Sequence, residues 1–369
     1  MRIVLTGGGT GGHLFPLVAV AKKLKEKRGN GIEFLFLGPS QKMEKEIMKR
    51  ENIKAKRIIS GKMRRYFSPL NFTDALKIPI GFIQSLWALL IFMPDVVFSK
   101  GGYAAIPVVL AAWIYRIPIL SHESDAIPGV ANKILGKFSN WIAISYPSAQ
   151  EYFLKSKVVI TGNPVREEIT QGNSEAARKH FNLLESKPTI LIMGGSQGAR
   201  CINRAIVKIL PELLRQAQLI HQTGEKTFEE TKRLAAEAGI KAGRRGYHPV
   251  SFMQIGELKN ALSIADLVIS RAGANSIANI AAVEKPSILI PLPTAANNHQ
   301  QMNAYEIAKI GGALVLEESN LGENMLLEKI EKILGDENLR KNMARKISAF
   351  YHPEAADKIA EGLIELAGK

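Results

Sequence analysis

The chain has 369 residues, enough for two domains of ordinary size that each bury a core of their own. Apolar residues make up 46% and charged residues 22%, and no long low-complexity tract is present, which excludes a disordered or fibrous protein. Cys201 is the single cysteine, which excludes an intramolecular disulfide, and 49 Lys+Arg against 34 Asp+Glu leave a formal net charge of +15, so anionic partners are expected.

The apolar run Ile3-Val4-Leu5 predicts a buried parallel strand, and Gly7, Gly8, Gly9, Gly11 and Gly12 crowd in behind it. Leu14, Leu17, Val18, Ala21 and Leu24 then share one helical face, with Pro16 in the first turn, where its missing N–H removes no intrahelical bond. Such a strand, glycine turn and helix let a ligand approach bare backbone, and the helix N-terminus offers N–H groups to an anion or a polar sugar. His13 adds a titratable group there and is the leading general base; a purely structural histidine is the alternative. Met1 leads straight into the strand without a signal peptide, so the cytosol is the expected compartment.

A second strand is expected over 32–37, ending in Gly38, Pro39 and Ser40. The spacing Gly7-x-Gly9-x-x-Gly12 satisfies the dinucleotide fingerprint, but the acid that should follow the second strand for a ribose is missing, which disfavours NAD. In residues 62–93, Lys62, Arg64 and Arg65 precede Tyr66 and Phe67, and Lys77 introduces an apolar run from Ile78 to Met93. That run is shorter than the ~20 residues of a membrane-spanning helix. It predicts a helix with one face in the core and Phe82, Leu86, Trp87 or Leu90 partly exposed toward an anionic bilayer; a plain core helix is the alternative. No nucleic-acid motif with interleaved aromatics is visible, so nucleic acid is not an expected partner.

Further strands are expected over 95–99, 117–121, 141–144 and 158–160. The first is followed by Lys100-Gly101-Gly102-Tyr103, and the second by His122-Glu123-Ser124-Asp125 and a helix containing Asn132. Residues 161–166 read as a linker, after which the pattern restarts: a strand over 188–193, a glycine turn at Gly194–Ala199, and a helix. Strands follow near 219–222, 266–270 and 287–291, with the segment 247–253 between the first two, then the polar loop 297–301, with helices over 324–347 and 353–367 closing the chain. Strands alternating with helices in both halves predict an α/β protein of two doubly wound, Rossmann-like domains facing across a cleft lined by loops at the carboxyl ends of their strands.

The Gly194–Gly198 turn opens a helix, Ser196 supplies a hydroxyl, and Arg166 and Arg271 sit at strand ends; together they point to a phosphate or diphosphate ligand. No Walker-type Gly-Lys-Ser/Thr is present. The seven histidines are scattered, without an HxxxH pair or an Asp-x-Asp, so neither metal catalysis nor a cofactor is expected. His122 and Glu123 form a second acid–base candidate pair that spacing does not rank against His13.

Six motifs, Thr6–His13, Gly101-Gly102-Tyr103, His122–Asp125, Gly162–Arg166, Gly194–Ala199 and Asn298-His299-Gln300, occur in an order that resembles the bacterial GT-B N-acetylglucosaminyltransferases converting lipid I to lipid II in peptidoglycan synthesis. The resemblance spans essentially the whole chain. It implies a metal-independent, inverting transfer of GlcNAc from UDP-GlcNAc to the MurNAc 4-hydroxyl, with residues 1–163 binding acceptor and membrane and 164–349 binding the donor. A closing helix, 350–369, is expected to pack back on the first domain.

Carried over by motif, Thr10, Gly11, Gly12, Arg166, Gly195, Ser196, Gln197, Met253, Arg271, Ala274, Asn275, Asn279 and Gln300 form the donor set, with the Met253 backbone reading the uracil. His13, Glu123 and His122 are the catalytic candidates, Tyr103, Asp125 and Asn132 lie on the acceptor side, and Asn203 matches a further cleft position. The implied partners are lipid I, an anionic membrane surface on the cytoplasmic side, and cell-wall and division machinery. Two positions depart from the family pattern: Asn279 stands where a ribose-binding Glu is usual, and Asp125 where some members have Asn. A glycolipid glycosyltransferase, a UDP-GlcNAc 2-epimerase and a non-catalytic nucleotide-sugar sensor are the competing readings.

Overall fold

The computed structural model describes residues 1–8, 11–39, 41–61, 70–195, 198–243 and 246–368. They form two compact units, one of Met1–Arg166 with His352–Lys369 and one of Glu167–Tyr351.

The first unit runs β1 (Arg2–Thr6), α1 (Gly11–Arg28), β2 (Glu33–Gly38), α2 (Lys42–Arg50), β3 (Lys54–Arg57), α3 (Leu70–Phe92), β4 (Val96–Ser99), α4 (Ile106–Ile114), β5 (Ile119–Glu123), α5 (Val130–Phe138), β6 (Trp141–Ile144) and β7 (Val158–Ile160). Among the described residues these strands make one parallel sheet in the order β3-β2-β1-β4-β5-β6-β7. Residues of β4 and β5 are buried throughout, as expected of strands covered on both faces. The strand order reverses between β1 and β4, so the loops leaving these two strands flank the point where such sheets take ligands.

On α1 the expected apolar face is in place: Leu14, Leu17 and Leu24 are fully buried. The chain's last helix packs against that face with Ile359, Ala360 and Leu363, and Lys27 pairs with Asp357 at 3.1 Å and Glu361 at 2.9 Å. Strand β3, Lys-Ala-Lys-Arg, carries no apolar alternation, and sequence patterning does not reveal it. It forms because β2 offers a free edge, and its exposed cations discourage further pairing there. The segment after β3 fastens onto α3, where the Ile59 N–H donates to Gln84 Oε1 at 2.9 Å.

The second unit runs α6 (Ser174–Phe181), β8 (Thr189–Met193), α7 (Arg200–Gln216), β9 (Gln218–Gln222), α8 (Phe228–Glu237), β10 (Tyr247–Val250), α9 (Ile255–Ile264), β11 (Leu267–Ser270), α10 (Ala274–Ala282), β12 (Ser287–Leu289), α11 (His299–Lys309), β13 (Ala313–Val315), α12 (Glu323–Gly335) and α13 (Glu337–Ser348). The closing helix of the first unit, α14, spans Ala355–Ala367. The second sheet is also parallel, in the order β10-β9-β8-β11-β12-β13, and its reversal falls between β8 and β11. Asp336 separates α12 from α13, its carboxylate accepting the Leu339 N–H at 2.9 Å as an N-cap.

Candidate active site

In the first unit the loops at the β1/β4 reversal lock together through backbone. The Lys100 N–H donates to the Thr6 carbonyl at 2.8 Å, and Thr6 Oγ1 donates to the Leu37 carbonyl at 2.8 Å. Gly8 lies so close to Pro39 that a Cβ would come within 2.5 Å of its ring, which is why a side chain is excluded there. His13 sits half-buried in the first turn of α1, its Nδ1 3.4 Å from the Lys100 carbonyl oxygen. A Cβ on Gly102 would lie 3.5 Å from His13 Nε2, so the imidazole rests above the Gly101–Gly102 turn.

That turn is held from below by Asn132. Its Oδ1 accepts the Gly102 N–H at 3.3 Å, and its Nδ2 donates to Glu123 Oε2 at 2.8 Å. Gly101, at φ +89°, has Asn132 where a side chain would go. Glu123 Oε1 accepts the Asp125 N–H at 2.9 Å. Glu123 is 3% exposed, and burial, followed by repulsion from Asp125, pushes its carboxyl up to about 7 despite Lys100 and the two hydrogen bonds. It therefore changes charge near neutrality. Strand β5 extends through both His122 and Glu123 because they pair with Ala143 and Ile144 of β6, so both belong to the sheet.

His122 is 1% exposed, with Nε2 3.2 Å from the Gly162 carbonyl and 3.3 Å from Ser145 Oγ. Burial and then Lys100 push its imidazole well below the ordinary value, so it stays neutral. Tyr103 and Asp125 are half-buried beside these loops. Arg166 lies 4.0 Å over the Phe15 ring of α1.

In the second unit the loop after β8 enters α7, with Gly195 and Gly198 at φ +83° and +77°. Gly198 approaches the Thr223 carbonyl so closely that a Cβ would be 2.5 Å away. Asn203 is 2% exposed and lies under this loop: Nδ2 donates to the Thr223 carbonyl at 2.9 Å and to Thr227 Oγ1 at 3.1 Å, and Oδ1 is 3.0 Å from His221 Nε2. It supports the loop from within the core, which corrects the expectation that it lines a cleft. His221 also contacts the Tyr247 hydroxyl at 3.1 Å, and burial pushes its imidazole down to about 3. Neither His221 nor Tyr247 stands out in the sequence, since each sits in an ordinary strand.

Arg271, at the end of β11, is committed inside the unit. Its guanidinium donates to the Ile290 and Pro291 carbonyls, each at 3.2 Å, to Cys201 Sγ at 2.9 Å, and pairs with Glu318 Oε2 at 2.6 Å. A phosphate would have to draw it away from Glu318. The Met253 N–H donates to Gln222 Oε1 at 3.1 Å, so a base would compete with Gln222 for that group. Gln300 Oε1 accepts the Leu292 N–H at 3.0 Å, and Asn303, which sequence patterning does not single out, donates to the Ala272 carbonyl at 3.2 Å. Ala274 and Asn275 open α10, and Asn279 lies half-buried on the same helix. The helix N-termini of α7 and α10 thus flank the second reversal, an arrangement suited to an anion. Thr10, Ser196, Gln197 and the Lys62–Phe67 segment lie outside the described residues; at Gly11 and Gly12 the chain enters α1.

On α3, Phe82 and Leu86 pack against the core, whereas Ile83, Trp87, Leu90 and Ile91 are exposed along one face. Among the described residues no helix is long and apolar enough to cross a membrane.

Two parallel sheets, each with a glycine loop and a helix N-terminus at its reversal, are the two Rossmann-like domains of the GT-B fold. Residues 3–144 match the glycosyltransferase family 28 N-terminal domain and residues 189–359 the family 28 C-terminal domain. The chain belongs to glycosyltransferase family 28. It is 39% identical to the UDP-N-acetylglucosamine--N-acetylmuramyl-(pentapeptide) pyrophosphoryl-undecaprenol N-acetylglucosamine transferase of Clostridium perfringens, over 90% of each chain. It is also 39% identical to the enzyme of that name from Thermodesulfovibrio yellowstonii, over 98% of this chain and 97% of that one. The crystal structure of Acinetobacter baumannii MurG superposes with a TM-score of 0.75 at 28% identity, covering 99% of both chains. A UDP-GlcNAc 2-epimerase from Neisseria meningitidis reaches a TM-score of 0.70 at 14% identity, covering 99% of this chain and 100% of the other, a likeness of fold alone. The family expected from the six motifs is the family found.

Proposed function

We propose that the protein transfers N-acetylglucosamine from UDP-GlcNAc to the MurNAc 4-hydroxyl of lipid I, an undecaprenyl-diphosphate-linked MurNAc-pentapeptide, giving lipid II. Relatives about two-fifths identical over nine-tenths or more of the chain bear the name of that transferase. The geometric observation that carries the chemistry is His13. In the tautomer that donates Nδ1–H to the Lys100 carbonyl, Nε2 is the basic ring nitrogen, the one whose chemistry suits it to take a hydroxyl proton.

The step is an inverting displacement. The acceptor oxygen attacks the anomeric carbon, the bond to the UDP oxygen breaks, and the hydroxyl proton passes to His13 Nε2. The departing diphosphate meets the N-terminus of α7 and the glycine turn that opens it, without metal or cofactor. Glu123, Asn132, Asp125 and Tyr103 hold the acceptor sugar, and His122, neutral and internal, supports them. The ribose is read by Asn279 through neutral hydrogen bonds.

The acceptor is a lipid, so the enzyme docks peripherally on the cytoplasmic face of the membrane. Ile83, Trp87, Leu90 and Ile91 of α3 insert, and Lys77 and the other cations of a +15 chain attract anionic lipid. Its protein partners there belong to the cell-wall and division machinery.

The test is UDP release from UDP-GlcNAc with and without lipid I. Acceptor-dependent release supports the transferase. Conversion of UDP-GlcNAc to its 2-epimer without acceptor, or binding without turnover, overturns it.

A further inference from the structure

Lys100 carries a side chain that the proposed reaction leaves unused. Its side chain is 1% exposed, and Nζ donates to Ser124 Oγ at 3.0 Å. Its N–H donates to the Thr6 carbonyl, its Cβ lies where a Gly7 Cβ would approach within 3.2 Å, and its own carbonyl faces His13 Nδ1. One residue therefore touches the opening loop, the base and the β5 loop.

A buried ammonium persists only where negative charge compensates it. Here Lys100 Nζ is bonded to Ser124, the residue between Glu123 and Asp125, and the two carboxylates oppose the burial that pushes its ammonium down. The compensation is mutual, because a core lacking that cation would leave two carboxylates crowded at the end of β5. An apolar side chain of equal length would fill the space as well, so packing alone does not account for the charge. Among the described residues the charged groups acting on Glu123 are Lys100, from the end of β4, and Asp125, from its own loop; Asn132, from α5, is neutral. His122, on the same strand as Glu123, is itself held neutral in part by Lys100.

We propose that Lys100 is a positioning residue for the transfer: its ammonium compensates the Glu123–Asp125 pair, and its backbone aims His13. This rests on the reading of His13 and Glu123 given above. In chemical terms Lys100 sets the charge state in which the loop around Glu123 meets the acceptor sugar.

The experiment follows the Glu123 carboxyl directly, by ¹³C NMR titration of the full-length protein, with Glu123→Gln to assign the resonance. Lys100→Met is expected to move the Glu123 midpoint up by about one pH unit or more, and Asp125→Asn to move it down. Lys100→Arg, which keeps the charge, is expected to hold it near the wild-type value. The pH profile of kcat/KM for lipid I should move in the same sense, while KM for UDP-GlcNAc stays within about two-fold.

If Lys100→Met does not fold, Lys100→Gln, which keeps a donor for Ser124 Oγ but carries no charge, carries the test with the same upward shift. A midpoint unmoved in every folded variant overturns the proposal. So does a midpoint that moves while the pH–rate profile does not. Absence of acceptor-dependent UDP release by the wild type overturns the functional reading instead, and the NMR titration remains readable.

Discussion

Lys100 and Arg271 occupy equivalent positions in the two units. Each follows a serine that closes a central strand, Ser99 and Ser270. Each donates its N–H to the last residue of the neighbouring first strand, Thr6 at 2.8 Å and Met193 at 3.2 Å. Each is buried, at 1% and 8% exposure. Both strand reversals thus carry an internal cation, but the side chains are spent differently: Lys100 on Ser124 near two carboxylates, Arg271 on two carbonyls, Cys201 and Glu318.

Replacing Arg271 by Met leaves Glu318 without its ion-pair partner and the Ile290 and Pro291 carbonyls without their donor. The unfolding transition of the second unit is expected to lose on the order of 3 kcal/mol, read by chemical denaturation. Unchanged stability would mean that the guanidinium is held for a ligand and not for the core.

His13→Ala removes the proposed base from a half-buried position, so folding is expected to survive. The value of kcat/KM for lipid I should fall by roughly 10²–10⁴, with UDP-GlcNAc affinity changed only a few-fold. A variant within a few-fold of wild type in turnover would move the base elsewhere, with Glu123 next to test.

Asn132 uses both ends of its amide to tie Glu123 to the Gly102 N–H. Asn132→Ala strands both partners, at a cost of about 1–3 kcal/mol. The expected result is a rise of about tenfold or more in KM for lipid I with KM for UDP-GlcNAc unchanged. A defect confined to UDP-GlcNAc would contradict the acceptor assignment.

The stability of the second unit should depend on pH through His221. Its folded-state pKa is lowered to about 3 by burial, below the ordinary 6.5. The unfolded chain therefore binds the proton first, and the neutral imidazole's stabilising share is fully present above pH 6.5 and lost as pH falls toward 3. Calorimetry between pH 7 and pH 4 should show a falling Tm, flattened by His221→Gln. An equal slope in the variant would assign the effect to another group.

On α3, Ile83 and Trp87 are 65% and 62% exposed. Changing both to Ser should weaken binding to anionic vesicles by roughly a hundred-fold or more, the transfer free energy of two large apolar side chains at about 1.5–3 kcal/mol each. Turnover of a short-chain, water-soluble lipid I analogue should be spared. Loss of that turnover as well would make the exposed face part of the fold and not a docking surface.

Much of this molecule is legible in its sequence. The 14-17-18-21-24 spacing of α1 needs only helical periodicity, and the glycine turns after β1 and β8 stand out because apolar runs lead into them. Strands β3 and β13 escape notice. The first carries charge at three of four positions, and the second is three residues long, so pairing with a neighbour creates both. The commitment of Arg271 is equally invisible, because Cys201 lies 70 residues away along the chain.

The sequence by itself determined the α/β class, the two glycine-loop halves, the family and the histidine at the first turn, since periodicity and turn chemistry act over a few residues. Only the tertiary structure decided which polar groups are internal. It put Asn203 beneath its loop, engaged Arg271 with Glu318, and brought Lys100 to the carboxylates of the β5 loop. Burial is a property of what packs around a residue; with Asp125 beside it, burial turns Glu123 into a group that titrates near neutrality, and by itself it turns His221 into one that does not.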